Sequence, residues 1–342
     1  MGILKFYPQF KEEFSCCITN CMNKKYEAVA FDLNQWLHIY APKYLFDAHV
    51  TALQCFYFVS SWESEIYIIV LDGIGPPSKL EEQKRRRSFL ISDKLQISVG
   101  TLFMENFNRE FLKHVLTMAK EKIIYYSNHN VPGEGEHKII NLVKFLNVKT
   151  LIISIDADVI VLSILNNLYN VDILRIYPLR KDYIDIEKVL CSLPITSFSY
   201  FINVCFLGND FLPRIKSNIS CLIDISYPFH FKQLAKQHNI LNYDSEKCKN
   251  YLTYLEWVIL YYFKHYKCDI TPDCNAPKKI HFEELQQFCY DNNDYEPKFR
   301  KVTSEELTIS FQINYIMPEK ACQISKNVIE EKCMKYSNLK HF

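Results

Sequence analysis

The chain has 342 residues, 49% of them hydrophobic and only seven of them glycine, with 40 Lys and Arg against 39 Asp and Glu. This length allows a sizeable core, and the hydrophobic content excludes a disordered or low-complexity protein. A formal net charge of +1 excludes a basic field over the whole surface. A nucleic-acid partner must therefore be held by local patches of charge.

The predicted elements alternate over the first two thirds of the chain. We predict strands over 26–34, 64–73, 148–158 and 171–179, and helices over 47–60, 79–91, 100–121 and 135–146. Strands that are apolar on both faces and separated by helices favour a mostly parallel central sheet flanked by helices. From about residue 231 the strand signals weaken, and 251–266 predicts a buried aromatic helix. The sequence therefore predicts an α/β fold over 1–230, followed by a smaller, mainly helical domain over 231–342.

The cysteines and the apolar segments predict the compartment. The 13 cysteines form no C-x-x-C pair, and we expect no signal peptide, so a reducing compartment is favoured. The most apolar segment, residues 151–165, is too short to span a membrane and contains two aspartates. We therefore expect a cytoplasmic protein that does not enter a membrane; a nuclear location and a viral origin are also compatible.

Acidic residues follow three of the predicted strands. Asp32 closes the first strand, Asp72 the second, and Asp156 and Asp158 the third. Because the carboxyl ends of parallel strands meet at one edge of a sheet, we expect these side chains at the same edge. Each acid alone is more often a turn residue or a helix cap.

Three further acids extend this set. Glu134 and Glu136 in VPGEGEHK precede a predicted helix, and Asp210 lies in CFLGNDFLP. The glutamates could simply favour the helix dipole. Seven carboxylates in one cleft, however, repel one another unless cations neutralise them. Their hard oxygen ligands favour Mg²⁺ or Mn²⁺, and two ions roughly 4 Å apart could support phosphodiester hydrolysis.

A basic segment runs on from Asp72. In LDGIGPPSKLEEQKRRRS, a helix from Ser78 would place four side chains on one face: Lys79, Gln83, Arg86 and Arg87. Such a face can grip a phosphate through guanidinium forks and an amide. The alternative is a solvated charged helix in which Glu81 and Glu82 pair with Arg85 and Arg86.

Five segments, in the same order along the chain, resemble the XRN family of 5′→3′ exoribonucleases, within the 5′-nuclease and PIN-like superfamily. They are FDLNQWLH, LDGIGPPSKLEEQKRRR, SNHNVPGEGEHKI, IDADVIVL and FLGNDFLP. The resemblance is dense over roughly residues 1–215. Departures from the family are Leu4 in place of a proline, Arg214 in place of a histidine, and a shortened later region.

The resemblance implies a role for each candidate residue. The metal-site carboxylates would be Asp32, Asp72, Glu134, Glu136, Asp156, Asp158 and Asp210, and the pocket for an RNA 5′-monophosphate would be Lys79, Gln83, Arg86 and Arg87. His38 would stack on the 5′ nucleotide, with Asn34 between it and Asp32. Trp257, in YLEWVILYY, would stack on the opposite side; the alternative is a buried core tryptophan.

The resemblance also implies the activity. The chain would degrade single-stranded, 5′-monophosphorylated RNA to mononucleotides. One alternative is a structure-specific or 5′→3′ DNase of the flap-endonuclease type, which a pocket for a terminal phosphate argues against. Another is a non-catalytic RNA-binding relative, which should have lost at least one of the seven carboxylates.

Overall fold

The computed structural model describes residues 6–21, 24–88, 92–216, 223–240, 242–263 and 270–316. Leu4 and the last residues of the predicted helices 79–91 and 251–266 lie outside the described residues. The same is true of 317–342, the end of the predicted second domain.

The strands include the four that the sequence predicts. In chain order they are β1 (Ile18–Thr19), β2 (Ala28–Asp32), β3 (Ile66–Val70), β4 (Ile123–Ser127), β5 (Thr150–Ile153), β6 (Val171–Tyr177), β7 (Arg180–Asp185), β8 (Ile270–Pro272) and β9 (Phe299–Lys301). The predictions for β2, β3, β5 and β6 are confirmed, whereas β1, β4, β7, β8 and β9 were not predicted.

Seven strands form one sheet in the order β1-β7-β6-β5-β2-β3-β4. The pairs β2–β3, β2–β5, β3–β4 and β5–β6 are parallel. Only two residues join β6 to β7, its neighbour in the sheet, so that pair must be antiparallel and the sheet is mixed. Every residue of β2 is buried, as expected for a central strand covered on both faces. The prediction of an α/β fold with a mostly parallel sheet is confirmed.

The helices lie between these strands and after them. They are α1 (Phe6–Glu13), α2 (Leu33–Lys43), α3 (Ala48–Ser60), α4 (Leu80–Ser88), α5 (Leu102–Met118), α6 (Gly135–Leu146), α7 (Ala157–Leu165), α8 (Ile186–Ser192), α9 (Ser197–Phe206), α10 (Ser245–Phe263), α11 (Phe282–Asp291) and α12 (Ile309–Ile316). Among the described helices no single one is long and apolar enough to cross a membrane. One bent pair, Ile186–Ser192 with Ser197–Phe206, passes that test by length and composition only.

The chain divides into two compact units, each built from separate stretches of sequence. Among the described residues, we call those within 20–155, 170–183 and 302–316 the sheet unit, and those within 6–19, 156–169 and 184–301 the helical unit. In the sheet unit, apolar residues of β2, β3 and β5 pack with those of α2, α3 and α5 in one core. The boundary near residue 230 stays a prediction.

Candidate active site

Two aspartates of the sheet unit lie where its central strands end. Asp32 is the last residue of β2; its Oδ1 accepts the Asn34 backbone N–H at 3.2 Å, and its Oδ2 accepts the Ser154 hydroxyl at 3.1 Å. Asp72 follows the end of β3, and its Oδ1 accepts the Gly135 N–H at 2.6 Å. Because β2 and β3 pair in parallel, both carboxylates lie at the same edge of the sheet.

The two glutamates of the GEGE segment reach this edge from the start of α6. Glu134 is at the N-cap position and Glu136 is in the first turn. Between them, Gly135 lies so close to the aspartates that a Cβ built on it would be 3.0 Å from Asp72 Oδ1 and 3.6 Å from Asp32 Oδ1. A side chain would crowd this approach, which explains the glycine. The sheet unit therefore gathers four of the predicted metal-site acids around Gly135.

Helix capping does not account for the side chain of Glu134. Although this residue occupies the N-cap position of α6, its side chain makes no capping hydrogen bond. Its Oε1 instead forms an ion pair with the Lys79 ammonium, and both side chains are buried. Glu136, in the first turn, still fits the dipole argument.

Three adjacent side chains form a compact set of potential metal ligands. Glu134, Glu136 and His137 each offer one ligand atom, and these atoms all lie within 4.8 Å of one another. All three residues are buried. Carboxylate oxygens suit Mg²⁺ and Mn²⁺, and an imidazole nitrogen can join a transition-metal site. The sequence did not single out His137.

The charges of this cluster favour a cation. Burial, followed by repulsion from the Glu134 carboxylate, raises the pKa of Asp72, and the Gly135 N–H and the ammonium groups of Lys79 and Lys138 oppose that rise. Lys79 already brings positive charge into contact with Glu134. Crowded carboxylates whose ionised forms are unfavourable are stabilised by bound cations. The residues present therefore fit a divalent metal ion.

Lys138 holds the segment 128–136, which we call the acidic segment because it contains Glu134 and Glu136, against the end of β3. Its Nζ donates to the backbone carbonyls of Leu71 at 2.9 Å, Val131 at 2.6 Å and Asn128 at 3.4 Å. Burial lowers the pKa of Lys138 to about 8, although the carboxylates of Asp72 and Glu136 oppose this change. The side chain thus fixes the loop that precedes Glu134.

The predicted phosphate-binding side chains lie on α4 and the turn before it. Glu82 pairs with Arg85 and, at 2.9 Å, with Arg86 Nε, as the charged-helix alternative predicts. Arg87 makes a different contact: its Nε donates to the Ser98 hydroxyl at 3.3 Å. Burial, then the charge of Arg86, lowers the pKa of Arg87 to about 10.

Gln83 lies on the same helix beside a glycine. A Cβ built on Gly75 would be 3.4 Å from Gln83 Nε2. Lys79 precedes α4 and is engaged by Glu134. The four predicted pocket residues are therefore on one segment of the sheet unit, and their binding of a phosphate stays a prediction.

His38 lies on α2, where the residue is partly exposed to solvent and neighbouring residues surround the rest of its surface. Desolvation by the surrounding chain, followed by the positive charges of Arg87 and Lys94, lowers the pKa of His38. The imidazole is therefore biased toward its neutral form and lies in the same positive field as the predicted pocket. Its stacking role stays a prediction.

Two further predicted metal-site acids lie at the start of α7 in the helical unit. Asp156 is the N-cap, and its Oδ1 accepts the Asp158 backbone N–H at 3.1 Å. Asp158 is buried, and its Oδ2 accepts the Tyr262 hydroxyl at 3.0 Å. Asp156 thus also serves as a helix cap, the alternative noted for a single aspartate.

Asp210 lies in the turn after α9, also in the helical unit. The neighbouring Asn209 side chain shapes this turn by accepting the backbone N–H groups of Phe211 at 2.9 Å and Leu212 at 2.8 Å. Gly208 adopts a φ of +92°, which explains the glycine of the GNDFLP segment. The metal-binding roles of Asp156, Asp158 and Asp210 stay predictions.

Trp257 is in the core of the helical unit, 1% exposed. Its ring stacks on Tyr261, with centroids 5.1 Å apart, and meets Phe211 edge-on at 4.9 Å. Its Nε1 donates to the Ile270 carbonyl at 3.0 Å. These contacts favour the core alternative over base stacking.

Comparison with known proteins shows which sequences this chain resembles. A model of the family described as XRN 5′-3′ exonuclease N-terminus matches residues 90–176. The chain is 26% identical over 214 residues to 5′-3′ exoribonuclease 1 of Saccharomyces cerevisiae, and 23% identical over 299 residues to 5′-3′ exoribonuclease 1 of Homo sapiens. Over these residues the chain is similar to members of the XRN family.

The match covers only part of these XRN relatives. The two alignments include 48% and 63% of this chain but only 14% and 17% of the yeast and human proteins. Among solved structures, T5 5′-exonuclease with bound zinc is similar with a TM-score of 0.39 and 12% identity, over 89% of this chain and 98% of that one.

Several residues that build the site were not predicted from the XRN resemblance. His137 and Lys138 follow Glu136 directly, so the motif VPGEGEHK contained the signal for both. Ser154 and Tyr262 are bonded to predicted acids but carry no motif signal. A lone serine after a strand, or a tyrosine on an aromatic helix, is common in any core.

Proposed function

We propose that this chain is a metal-dependent 5′→3′ exoribonuclease that degrades single-stranded, 5′-monophosphorylated RNA to mononucleotides. The observation that carries the proposal is the convergence of Asp32, Asp72, Glu134 and Glu136 around Gly135 at one edge of the sheet. The basic segment with α4 follows directly from this edge. The names of the yeast and human relatives support RNA as the substrate.

The proposal includes two divalent ions, Mg²⁺ or Mn²⁺. The four acids of the sheet unit are the proposed ligands, with His137 beside them, and the family resemblance adds Asp156, Asp158 and Asp210. When bound, such ions supply an activated water and stabilisation of the leaving oxygen of a phosphodiester. The raised pKa of Asp72 supports the presence of a cation, because its cause includes the charge of Glu134.

Residues of the chain itself would select the 5′ end. The guanidinium groups of Arg86 and Arg87 and the amide of Gln83 would bind a terminal phosphate. Lys79 belongs to this group by motif and contacts Glu134 in the structure, so it connects the phosphate pocket with the acids. His38, kept neutral by its lowered pKa, would offer an imidazole face to the first base.

The test compares four substrates of identical sequence: RNA with a 5′-monophosphate, a 5′-hydroxyl or a 5′-triphosphate, and single-stranded 5′-phosphorylated DNA. We expect mononucleotides from the first substrate, dependence on Mg²⁺ or Mn²⁺, and no turnover in excess chelator. Faster cleavage of DNA, or cuts at internal positions of branched DNA, would instead support the flap-endonuclease alternative.

Two variants in the sheet unit sharpen this test. Glu136→Gln removes a proposed ligand, and Glu110→Gln removes a carboxylate that pairs with Lys113 on α5. The first should lose cleavage and the second should keep it. RNA binding without cleavage by the wild-type chain in either metal would support the non-catalytic alternative. We also propose a cytoplasmic location, which the pattern of cysteines supports.

A further inference from the structure

A helix from the end of the described chain belongs to the sheet unit. Although residues 302–316 follow the helical unit in sequence, they cluster with the sheet unit, and α12 packs against α4. The approach to α12 is well defined by side chains. Thr303 and Glu306 exchange hydrogen bonds of 2.9 and 3.3 Å with each other's backbone N–H, and Thr308 Oγ1 accepts the Phe311 N–H at 3.1 Å.

One buried glutamine joins this helix to the loop before α4. Gln312 is 4% exposed, and its Nε2 donates to the Gly75 carbonyl at 2.9 Å and to the Glu306 carbonyl at 3.1 Å. An amide nitrogen has two hydrogens, so both are used. Burial of a side chain with these bonds fixes the position of the Gly75 carbonyl relative to α12.

A second contact lies one helical turn further on. The Lys84 ammonium lies 4.8 Å above the centroid of the Tyr315 ring, within the range of a cation–π interaction. That ring stacks in turn on Phe311, with centroids 6.1 Å apart. α12 therefore holds both the loop before α4 and α4 itself.

The loop held by Gln312, residues 71–76, lies between the predicted metal-site acids and the predicted phosphate pocket. On one side, the Gly73 N–H donates to the Gly133 carbonyl at 2.9 Å, and the Gly133 N–H donates to the Ile74 carbonyl at 2.8 Å, which ties the loop to the acidic segment. On the other side, Gly75 lies beside Gln83. A shift of the Gly75 carbonyl would therefore move the predicted phosphate pocket relative to the acids.

We propose that α12 is a brace for the 5′-phosphate pocket and that Gln312 is its positioning residue. The inference rests on the proposed function, because it assigns a role within the same site. Gln312 touches neither phosphate nor base in this scheme. It acts through Gly75, on which the placement of Gln83 depends.

The test measures discrimination between 5′ ends. Gln312→Leu removes both donors at similar volume, and Gln312→Glu places a carboxylate against two carbonyls. For each variant, kcat and KM are measured on 5′-monophosphate and 5′-hydroxyl RNA. We expect the ratio of kcat/KM values for the two substrates to fall by about tenfold, an effect of the size of one hydrogen bond. The loss should appear as a higher KM for the monophosphate, with kcat on 5′-hydroxyl RNA unchanged.

A matched control comes from the other unit. Gln287 on α11 is also buried, and its side chain accepts the His238 N–H at 2.7 Å and donates to Asp291 at 3.0 Å. Gln287→Leu removes comparable bonds, so it should affect stability but leave the ratio between the substrates unchanged. If Gln312→Leu does not fold, Tyr315→Leu, which removes the ring below Lys84, replaces it and should lower the same ratio.

Two results would overturn the brace. One is an unchanged ratio in a folded variant, and the other is an equal loss of kcat on both substrates, which indicates a structural role only. If the wild-type chain itself does not distinguish the two 5′ ends, the proposed function fails separately. Hydrogen exchange of the backbone amides of α4, residues 80–88, then tests the brace without an activity measurement. Faster exchange in Gln312→Leu than in the wild type supports the brace, and unchanged exchange refutes it.

Discussion

Replacing Trp257 by alanine separates a core role from base stacking. The indole is almost fully buried, stacks on Tyr261 and meets Phe211 edge-on, and its N–H donates to the Ile270 carbonyl. All these contacts lie within the helical unit. We therefore expect the substitution to remove core packing.

The expected magnitude follows from these contacts. Truncating a buried aromatic side chain to alanine costs roughly 3–5 kcal/mol. The unpaired Ile270 carbonyl adds about 1 kcal/mol. The sum is a large part of the roughly 5–15 kcal/mol that stabilises a typical domain. Trp257→Phe keeps most of the packing and loses the hydrogen bond, so about 1–2 kcal/mol is expected.

The assay is urea unfolding of both variants, combined with product lengths on a long 5′-phosphorylated RNA. Tyr290, 48% exposed on α11, provides the control, because Tyr290→Ala should change stability by less than about 0.5 kcal/mol. Per folded molecule, Trp257→Phe should digest RNA as completely as the wild type. Phe211 packs against Trp257 and follows Asp210, so a change at Trp257 can disturb this predicted metal ligand and slow every round of cleavage. A uniformly lower rate is therefore compatible with the core role. Digestion that stops after short runs is not.

The reasoning is refuted by the opposite pattern. If Trp257→Ala unfolds at the urea concentration of the wild type but stalls after short runs, the indole is available to nucleotides. The buried arrangement would then not be the one that binds RNA, and the stacking prediction from the family resemblance would stand.

Much of the sheet could be predicted because its central strands are continuous apolar runs. β4 escaped prediction since none of its residues, IIYYS, is fully buried, and it follows a long helix closely at one edge of the sheet. β7 was not predicted because its sequence, RKDYID, is charged and only alternate residues are buried. β4 is an edge strand, and β7 lies next to the two-residue edge strand β1. Strands at or beside the edge of a sheet lack the uniform burial that makes a run of apolar residues recognisable.

The candidate site was predictable to the extent that it depends on strand ends. Parallel register places Asp32 and Asp72 at one edge, and the motif adds Glu134 and Glu136. The pairing of Lys79 with Glu134 joins residues 55 positions apart, and no local pattern predicts it. The roles of Trp257 and Gln312 depend equally on tertiary contacts. An aromatic helix does not reveal from sequence which of its rings is covered, and a single glutamine in an apolar helix usually faces water.

Three further predictions follow from the proposed site. Asp156→Ala should abolish cleavage and, in chelator, lower the free energy of unfolding by about 0.5–2 kcal/mol, because alanine cannot accept the Asp158 N–H at the N-cap of α7; retained turnover would contradict its role as a metal ligand. The double change Arg86→Ala with Arg87→Ala should weaken the preference for a 5′-monophosphate without abolishing hydrolysis. Wild-type cleavage of circular RNA at the rate of linear RNA would refute that pocket. Asp72→Asn should stabilise the metal-free protein at neutral pH.

The stabilisation expected for Asp72→Asn follows from the raised pKa of Asp72. The first cause of this rise is burial, and the second is repulsion from the Glu134 carboxylate. A carboxyl whose folded pKa exceeds its unfolded value of about 3.9 contributes stability below that value and loses it as pH rises through the folded pKa. The amide that replaces the carboxyl in Asp72→Asn cannot ionise, so the advantage of this variant in unfolding free energy should grow from pH 4 to pH 8 in chelator. Glu110→Gln should instead lower the unfolding free energy slightly at neutral pH, because the hydrogen bond from Lys113 lowers the pKa of Glu110 to about 2 and the ionised carboxylate favours the folded state. If Asp72→Asn is less stable than the wild type at pH 8 and equal to it at pH 4, the charge repulsion inferred for this cluster is wrong.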